Sequence, residues 1–223
     1  MNRYALIVAG GAGTRMGTDI PKQFLELAGK PVLMHSIERF RAFDNTIGII
    51  VVIPENQFGL WESLKEKHSF SIPHTLVKGG PSRFFSVKNG LQNVDDNAIV
   101  AIHDGVRPLV STGTIMRCFR AAGEFGNAIP VISLSDSVRM VTENENIPVN
   151  RNCLRIIQTP QVFKAGLIKK AYLQDFRPET TDDAMLLEKS GEKIHLVEGN
   201  RENIKITNPE DLTIAGALIN TIF

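Results

Sequence analysis

The chain has 223 residues, 43% hydrophobic and 22% charged, the make-up of an ordinary globular protein rather than a fibrous or disordered one. A net charge of +1 argues against a protein held broadly on nucleic acid or an anionic membrane, so any anion site must be built from locally clustered cations. Cys118 and Cys153 lie far apart without CxxC spacing and read as reduced thiols of a cytoplasmic protein.

Tyr4 to Val8 follows Arg3 but is shorter than the roughly 7–15-residue apolar region of a signal peptide, and it runs straight into glycines. It reads as the first strand. Ile47 to Ile53, Thr75 to Val77, Ala98 to His103 and Ala128 to Leu134 are further strands, mostly apolar throughout, as expected when both faces are covered. Between them Val32 to Phe40, Leu60 to His68, Arg83 to Leu91 and Gly113 to Glu124 carry helical periodicity. Later helices are expected at Ala165 to Gln174, Asp182 to Lys189 and Pro209 to Ile219, the last with Asn208 as N-cap. This alternation predicts an α/β fold with an open, mostly parallel twisted sheet flanked by helices. The segment 135–151 breaks the rhythm. Two polar-rich runs flank the turn-like Glu143 to Asn146, which reads either as a loose surface loop or as a hairpin arm held by another subunit. No run approaches the roughly 18 apolar residues of a membrane span, and no linker divides residues 1–223.

The first strand leads into "GGAGTRMG". The P-loop pattern GxxxxGK[ST] is absent, because the one Gly-Lys pair is followed by Pro31. Gly11, Gly13 and Gly17 fit a dinucleotide fingerprint poorly, since Pro21 bars the long helix that should follow directly. A third reading is a loop that wraps a triphosphate, with main-chain N–H groups aimed inward and Arg15 and Lys22 supplying charge. On local sequence alone, a glycine turn with two solvated cations is the alternative.

Other strand ends carry chemistry as well. Asp104 and Arg107 close "IVAIHDGVRP", where Asp104 is either a turn aspartate or a ligand for Mg²⁺ or a ribose hydroxyl. "LVKGGPSRFFSV" offers Gly80, Arg83 and Ser86 as a second loop, either against a base or as a plain turn. Lys205 alternates with Ile204 and Ile206, as a solvated edge-strand lysine or an anion contact would. In "TTDDAMLL", Thr181 is the expected helix cap, with Asp182 and Asp183 in the first turn. The five histidines have no zinc-ligand spacing.

Together "AGGAGTRMG", "PKQFLELAGKPVL", "VKGGPSRFFSV", "HDGVRP", "QTPQVF", "TDDA" and "VEGNRENIKIT" closely resemble the IspD family, the 2-C-methyl-D-erythritol 4-phosphate cytidylyltransferases of the non-mevalonate isoprenoid pathway. The resemblance implies a Rossmann-like nucleotidyltransferase fold with a protruding β-arm at 135–153. It implies transfer of a cytidylyl group from CTP to a polyol phosphate, with Mg²⁺ as cofactor. By position it makes Arg15 and Lys22 catalytic and puts Ala9, Gly10, Gly11 and Gly13 around the CTP phosphates. Gly80 and Ser86 fall near the cytosine, and Asp104 near ribose and metal. Ser137, Arg151, Thr159 and Lys205 fall around the sugar phosphate, Ser137 and Arg151 reaching the neighbouring site of a homodimer. Three positions depart from the family pattern: Ser137 replaces a threonine, Pro81 an acid and Asn150 an aspartate. Ribitol-5-phosphate cytidylyltransferase is a related alternative, and a nucleotide-binding protein without turnover is another.

Overall fold

The computed structural model describes residues 1–11 and 20–222, with side chains described as far as Ile219. In chain order the sheet strands are β1 (Arg3–Val8), β4 (Gly48–Ile53), β5 (Thr75–Lys78), β6 (Ile99–Asp104), β7 (Asn127–Ser133), β10 (Arg155–Ile157), β11 (Gln161–Lys164) and β12 (Leu196–Glu198). Two short pairs lie apart from them: β2 (Glu26–Leu27) with β3 (Lys30–Pro31), and β8 (Val138–Val141) with β9 (Asn146–Val149). The helices are α1 (Val32–Phe43), α2 (Phe58–Lys67), α3 (Arg83–Leu91), α4 (Thr112–Phe125), α5 (Ala165–Ala171), α6 (Asp183–Lys189) and α7 (Pro209–Ile222).

The sheet runs β7-β11-β6-β1-β4-β5, and β12 lies along the other edge of β7. β6, β1, β4 and β5 are mutually parallel, whereas β11 is antiparallel to both neighbours. β10 and β11 follow one line along β7 with an irregularity between them. From Ile157↔Val131 to Val162↔Ala128, five residue steps on that line face three on β7, a bulge of two residues. Thr159 sits in this bulge, before Pro160.

The near-continuous apolar strands are explained by two cores. Ala5, Ile7, Val51 and Ile53 pack on one face with Phe40, Trp61 and Ile115. Leu6, Val8, Ile50 and Val52 pack on the other with Val87, Leu91 and Ile168. Successive residues point to opposite faces, and here both faces are covered. A smaller cluster of Leu27, Val32, Val106, Ile206 and Ala215 seats α7. Gly126 ends α4 at φ 94°, the left-handed conformation that suits glycine, and its N–H closes on the Ala122 carbonyl.

Several expectations change in detail. α5 ends at Ala171 rather than Gln174, because the N–H groups of Leu173 and Gln174 reach back only three residues. The cap of α6 is Asp182, not Thr181: its carboxylate accepts the Met185 N–H at 2.9 Å. At the start of α7, Asp211 accepts the N–H groups of Thr207 and Asn208, both at 2.8 Å. Lys205 lies in an irregular segment rather than a strand. The expected hairpin forms as β8 and β9, closed by the Thr142 N–H on the Glu145 carbonyl. Among the described residues no helix is long and apolar enough to cross a membrane.

Candidate active site

Four parallel strands end at the same edge of the sheet, and ligands of open α/β sheets bind beyond such carboxyl ends. The ladder continues briefly past the strands. Ala9 N–H donates to the Val52 carbonyl, Gly79 N–H to Ile53 and Gly105 N–H to Val8. These bonds fix where each loop departs and leave a cavity of about 330 Å³ between them. Its floor is Val8, Ala9, Gly10 and Gly11; one wall is Gly80 to Arg83 with Ser86; Lys22, Asp104 and Lys205 complete it.

Gly10 and Gly11 are not dictated by the packing around them. A Cβ on either would meet no described atom closer than 3.7 Å, and neither adopts a positive φ. Their smallness therefore leaves room on the cavity side, as close approach of a ligand to the backbone requires. Gly80 differs, because its Cβ would lie 2.4 Å from Phe85 Cβ. In the same loop Gly80 N–H donates to Ser86 Oγ at 3.0 Å, and that hydroxyl donates to the Ser82 carbonyl. Ser86 thus shapes the loop from within.

Asp104 is the electrostatic centre. Its carboxylate has Lys205 Nζ at 3.0 Å, Arg83 Nε at 3.4 Å and Arg107 Nε at 3.5 Å. Burial alone would raise its carboxyl, but Arg83, Lys205 and Arg107 outweigh that and hold it well below the usual range. Beneath it, Thr159 Oγ1 accepts the Asp104 N–H at 3.1 Å and lies 3.1 Å from His103 Nδ1. The Thr159 hydroxyl proton then points to Nδ1, so His103 carries its own proton on Nε2, which donates to the Arg107 carbonyl at 3.1 Å. Burial pushes the His103 imidazole down to about 4, and it stays neutral.

Lys205 reaches Asp104 because its flanks are pinned. Ile206 is buried and its N–H bonds to the Val106 carbonyl. Upstream, buried Asn203 donates to the Thr159 carbonyl at 2.8 Å, and Arg107 donates to the Asn203 carbonyl at 2.8 Å. Gln158, also buried, donates to the Asn200 carbonyl at 2.9 Å. Gln158 and Asn203 lie inside the motifs that carry the resemblance, but their own chemistry did not single them out in sequence.

Of the expected site residues, the cavity gathers Ala9, Gly10, Gly11, Lys22, Gly80, Ser86, Asp104 and Lys205. Thr159 lies under Asp104 with its hydroxyl engaged inside the protein. Ser137 and Arg151 are exposed on the arm and do not line this cavity, and Arg151 donates to the Ser135 carbonyl. Gly13 and Arg15 lie outside the described residues. Asp183, expected in a capping role, is instead fully buried and pairs with the half-buried Arg83. No group of three or more His, Cys, Asp or Glu side chains that could hold a metal occurs among the described residues.

The family description "IspD: 2-C-methyl-D-erythritol 4-phosphate cytidylyltransferase" matches residues 4–221. A Bacteroides fragilis protein named 2-C-methyl-D-erythritol 4-phosphate cytidylyltransferase is 52% identical over 219 residues, covering 98% of this chain and 100% of its own. The crystal structure of 4-diphosphocytidyl-2C-methyl-D-erythritol synthase from Anaerococcus prevotii superposes with a TM-score of 0.83 at 29% identity, over 98% of this chain and 96% of that one. The 2-C-methyl-D-erythritol 4-phosphate cytidylyltransferase of Thermus thermophilus gives 0.80 at 30% identity, over 99% and 100%. Sequence match and fold agree over nearly the whole length, and the chain belongs to the IspD family.

Proposed function

We propose that this chain transfers a cytidylyl group from CTP to 2-C-methyl-D-erythritol 4-phosphate and releases pyrophosphate, a step of non-mevalonate isoprenoid synthesis. The observation that carries the reading is the cavity at the strand ends. Gly10 and Gly11 present backbone without side chains to it, and Lys22, Arg83 and Lys205 bring positive charge. Such a site suits a polyphosphate.

In this reaction a phosphate oxygen of the acceptor attacks the α-phosphorus of CTP, and the bond to the bridging oxygen breaks, its electron pair leaving with pyrophosphate. The attacking oxygen is already ionised near neutrality, since the second pKa of a phosphomonoester is about 6. No general base is needed, which fits a site whose nearest histidine, His103, is buried with both ring nitrogens engaged. The obstacle is repulsion between two polyanions. Lys22, with Arg15, offsets the charge that grows on the α-phosphate and leaving group. Lys205, close to Asp104, meets the acceptor phosphate, and Thr159 holds the wall behind it.

A single carboxylate with three cations around it is no dedicated metal cage, but it fits an ion that arrives with the nucleotide. Asp104 would supply one oxygen ligand to Mg²⁺, which would offset phosphate charge when bound. The arm, 135–153 within a single catalytic unit of 1–223, is read as a dimerising element. Ser137 and Arg151 would then serve the neighbouring subunit's acceptor site. Its exposed Met140 and Val141, with Ile156 and Ile157 beside it, support this. The reading also implies a cytoplasmic enzyme.

The test is pyrophosphate release from CTP and Mg²⁺ with 2-C-methyl-D-erythritol 4-phosphate and, separately, ribitol 5-phosphate. Release with the erythritol phosphate supports the proposal. Preference for ribitol 5-phosphate overturns the acceptor, and no release with either favours a binding protein without turnover.

A further inference from the structure

Two carboxylates face one guanidinium beside the cavity. Arg83, the first residue of α3, donates from Nη1 and Nη2 to the two oxygens of Asp183 at 2.9 and 2.8 Å. Its Nε faces Asp104 Oδ1 at 3.4 Å, beyond the roughly 2.7–2.9 Å of a strong charge-assisted bond. Asp183 is fully buried, and the Tyr172 hydroxyl donates to its Oδ1 at 2.5 Å. Gln161 of β11 fastens the start of α6: its carbonyl accepts the N–H groups of Asp183 and Ala184, and its amide donates to Asp182.

Burying a carboxylate is costly, and a core position is filled at least as well by an apolar side chain. The Asp183 carboxylate therefore calls for a reason beyond packing, and its geometry supplies one. It takes the planar fork of the guanidinium, the face that would otherwise pair bidentately with Asp104. Without it Arg83, already within reach, would rotate onto Asp104 and occupy the carboxylate. With it, the shortest contact to Asp104 is that of Lys205 at 3.0 Å, and Lys205 is 43% exposed and able to swing away as substrate enters.

We propose that Asp183, supported by Tyr172, is a positioning residue that holds Arg83 back from Asp104 and so keeps the Asp104 carboxylate open to substrate. The inference rests on the cytidylyltransferase reading for what the substrate is, but not for where Arg83 goes. Asp183 acts only through Arg83; it touches no substrate.

Asp183→Asn keeps the shape and removes the charge that binds the fork. Its crystal structure should show Arg83 turned onto Asp104 with two short N···O contacts. In the assay its KM for CTP should rise about tenfold or more, the effect of losing a charge-assisted contact. Adding Arg83→Gln to Asp183→Asn removes the competing cation and should recover part of the loss. A purely structural role would leave the double variant no better than the single. If Asp183→Asn does not accumulate folded, Tyr172→Phe carries the test, with a severalfold rise in KM for CTP measured well below its melting temperature. Arg83 remaining on the residue-183 amide, a double variant no better than the single, or an unchanged KM in Tyr172→Phe overturns the inference. Absence of pyrophosphate release by the parent chain overturns the proposed function instead, and leaves the crystallographic test of Arg83 standing.

Discussion

Replacing Asp104 with asparagine removes one negative charge from among three positive ones, and the structure indicates how much stability goes with it. Removing one partner of a buried ion pair costs about 3–5 kcal/mol because the other charge is left uncompensated. The three cations here are not equally stranded. Lys205 is 43% exposed and can turn to water. Arg83 keeps its bidentate bonds to Asp183. Arg107, with a side chain 13% exposed, keeps its bond to the Asn203 carbonyl and has no other carboxylate partner among the described residues. One stranded cation rather than three places the loss at the lower end, about 3 kcal/mol, or roughly a hundredfold in the folding equilibrium. Urea denaturation of the parent and of Asp104→Asn at pH 7 reads this as a lower midpoint at unchanged slope. Asp104→Asn/Arg107→Met should regain part of the difference, because the stranded charge is gone. An Asp104→Asn variant as stable as the parent, or a double variant less stable than the single, would refute the reasoning.

Lys22→Ala should lower turnover with CTP by about a hundredfold or more, the scale of a lost transition-state donor, while melting temperature barely moves; near-parental turnover sinks the assignment. Gly80→Ala forces a methyl to within 2.4 Å of Phe85 Cβ, so the loop must shift, and CTP binding by calorimetry should weaken with a stability loss of about 1–3 kcal/mol. His103 is buried neutral, its pKa pushed down to about 4, so the unfolded chain takes up the proton first as pH falls. Its contribution is complete above about 6.5 and is lost towards pH 4, by roughly 3 kcal/mol. Denaturation midpoints across that range should fall less steeply in His103→Gln, and an identical slope would refute the neutral buried ring.

The fold was legible because its strands obey one rule. Ala5, Leu6, Ile7 and Val8 read as continuously apolar, and they divide between two cores. The loops at the strand ends could be found from glycine and charge alone. The direction of Lys205 was legible too, opposite its isoleucines, although the segment is not a strand and the Ile206–Val106 bond holds it. Asp183 was misread because an acid after a helix start is an ordinary capping signal. Only the fold brings Arg83, a hundred positions away, against it. Thr159, His103 and the Asp104 N–H form a chain of bonds hidden from sequence for the same reason: His103 and Asp104 end one strand, and Thr159 comes from a bulge some fifty-five positions on. Ser137 and Arg151 lie exposed on a polar hairpin away from the cavity, and such a hairpin encodes little of its role locally.

The interruption between β10 and β11 contains two surplus residues, and the evenness of that number matters. Side chains on a strand alternate with period two, so an even surplus preserves phase. Ile157 beside Val131 and Phe163 beside Asn127 therefore face the same way across the break. Deleting one of residues 158–161 other than Thr159 would invert the whole leading segment, sending Ile156 where Ile157 now points and turning the attached hairpin over. Deleting two would restore the phase but draw the strand straight, withdrawing Thr159 from beneath Asp104. The active-site wall and the orientation of the arm are thus set by the parity of a single short break.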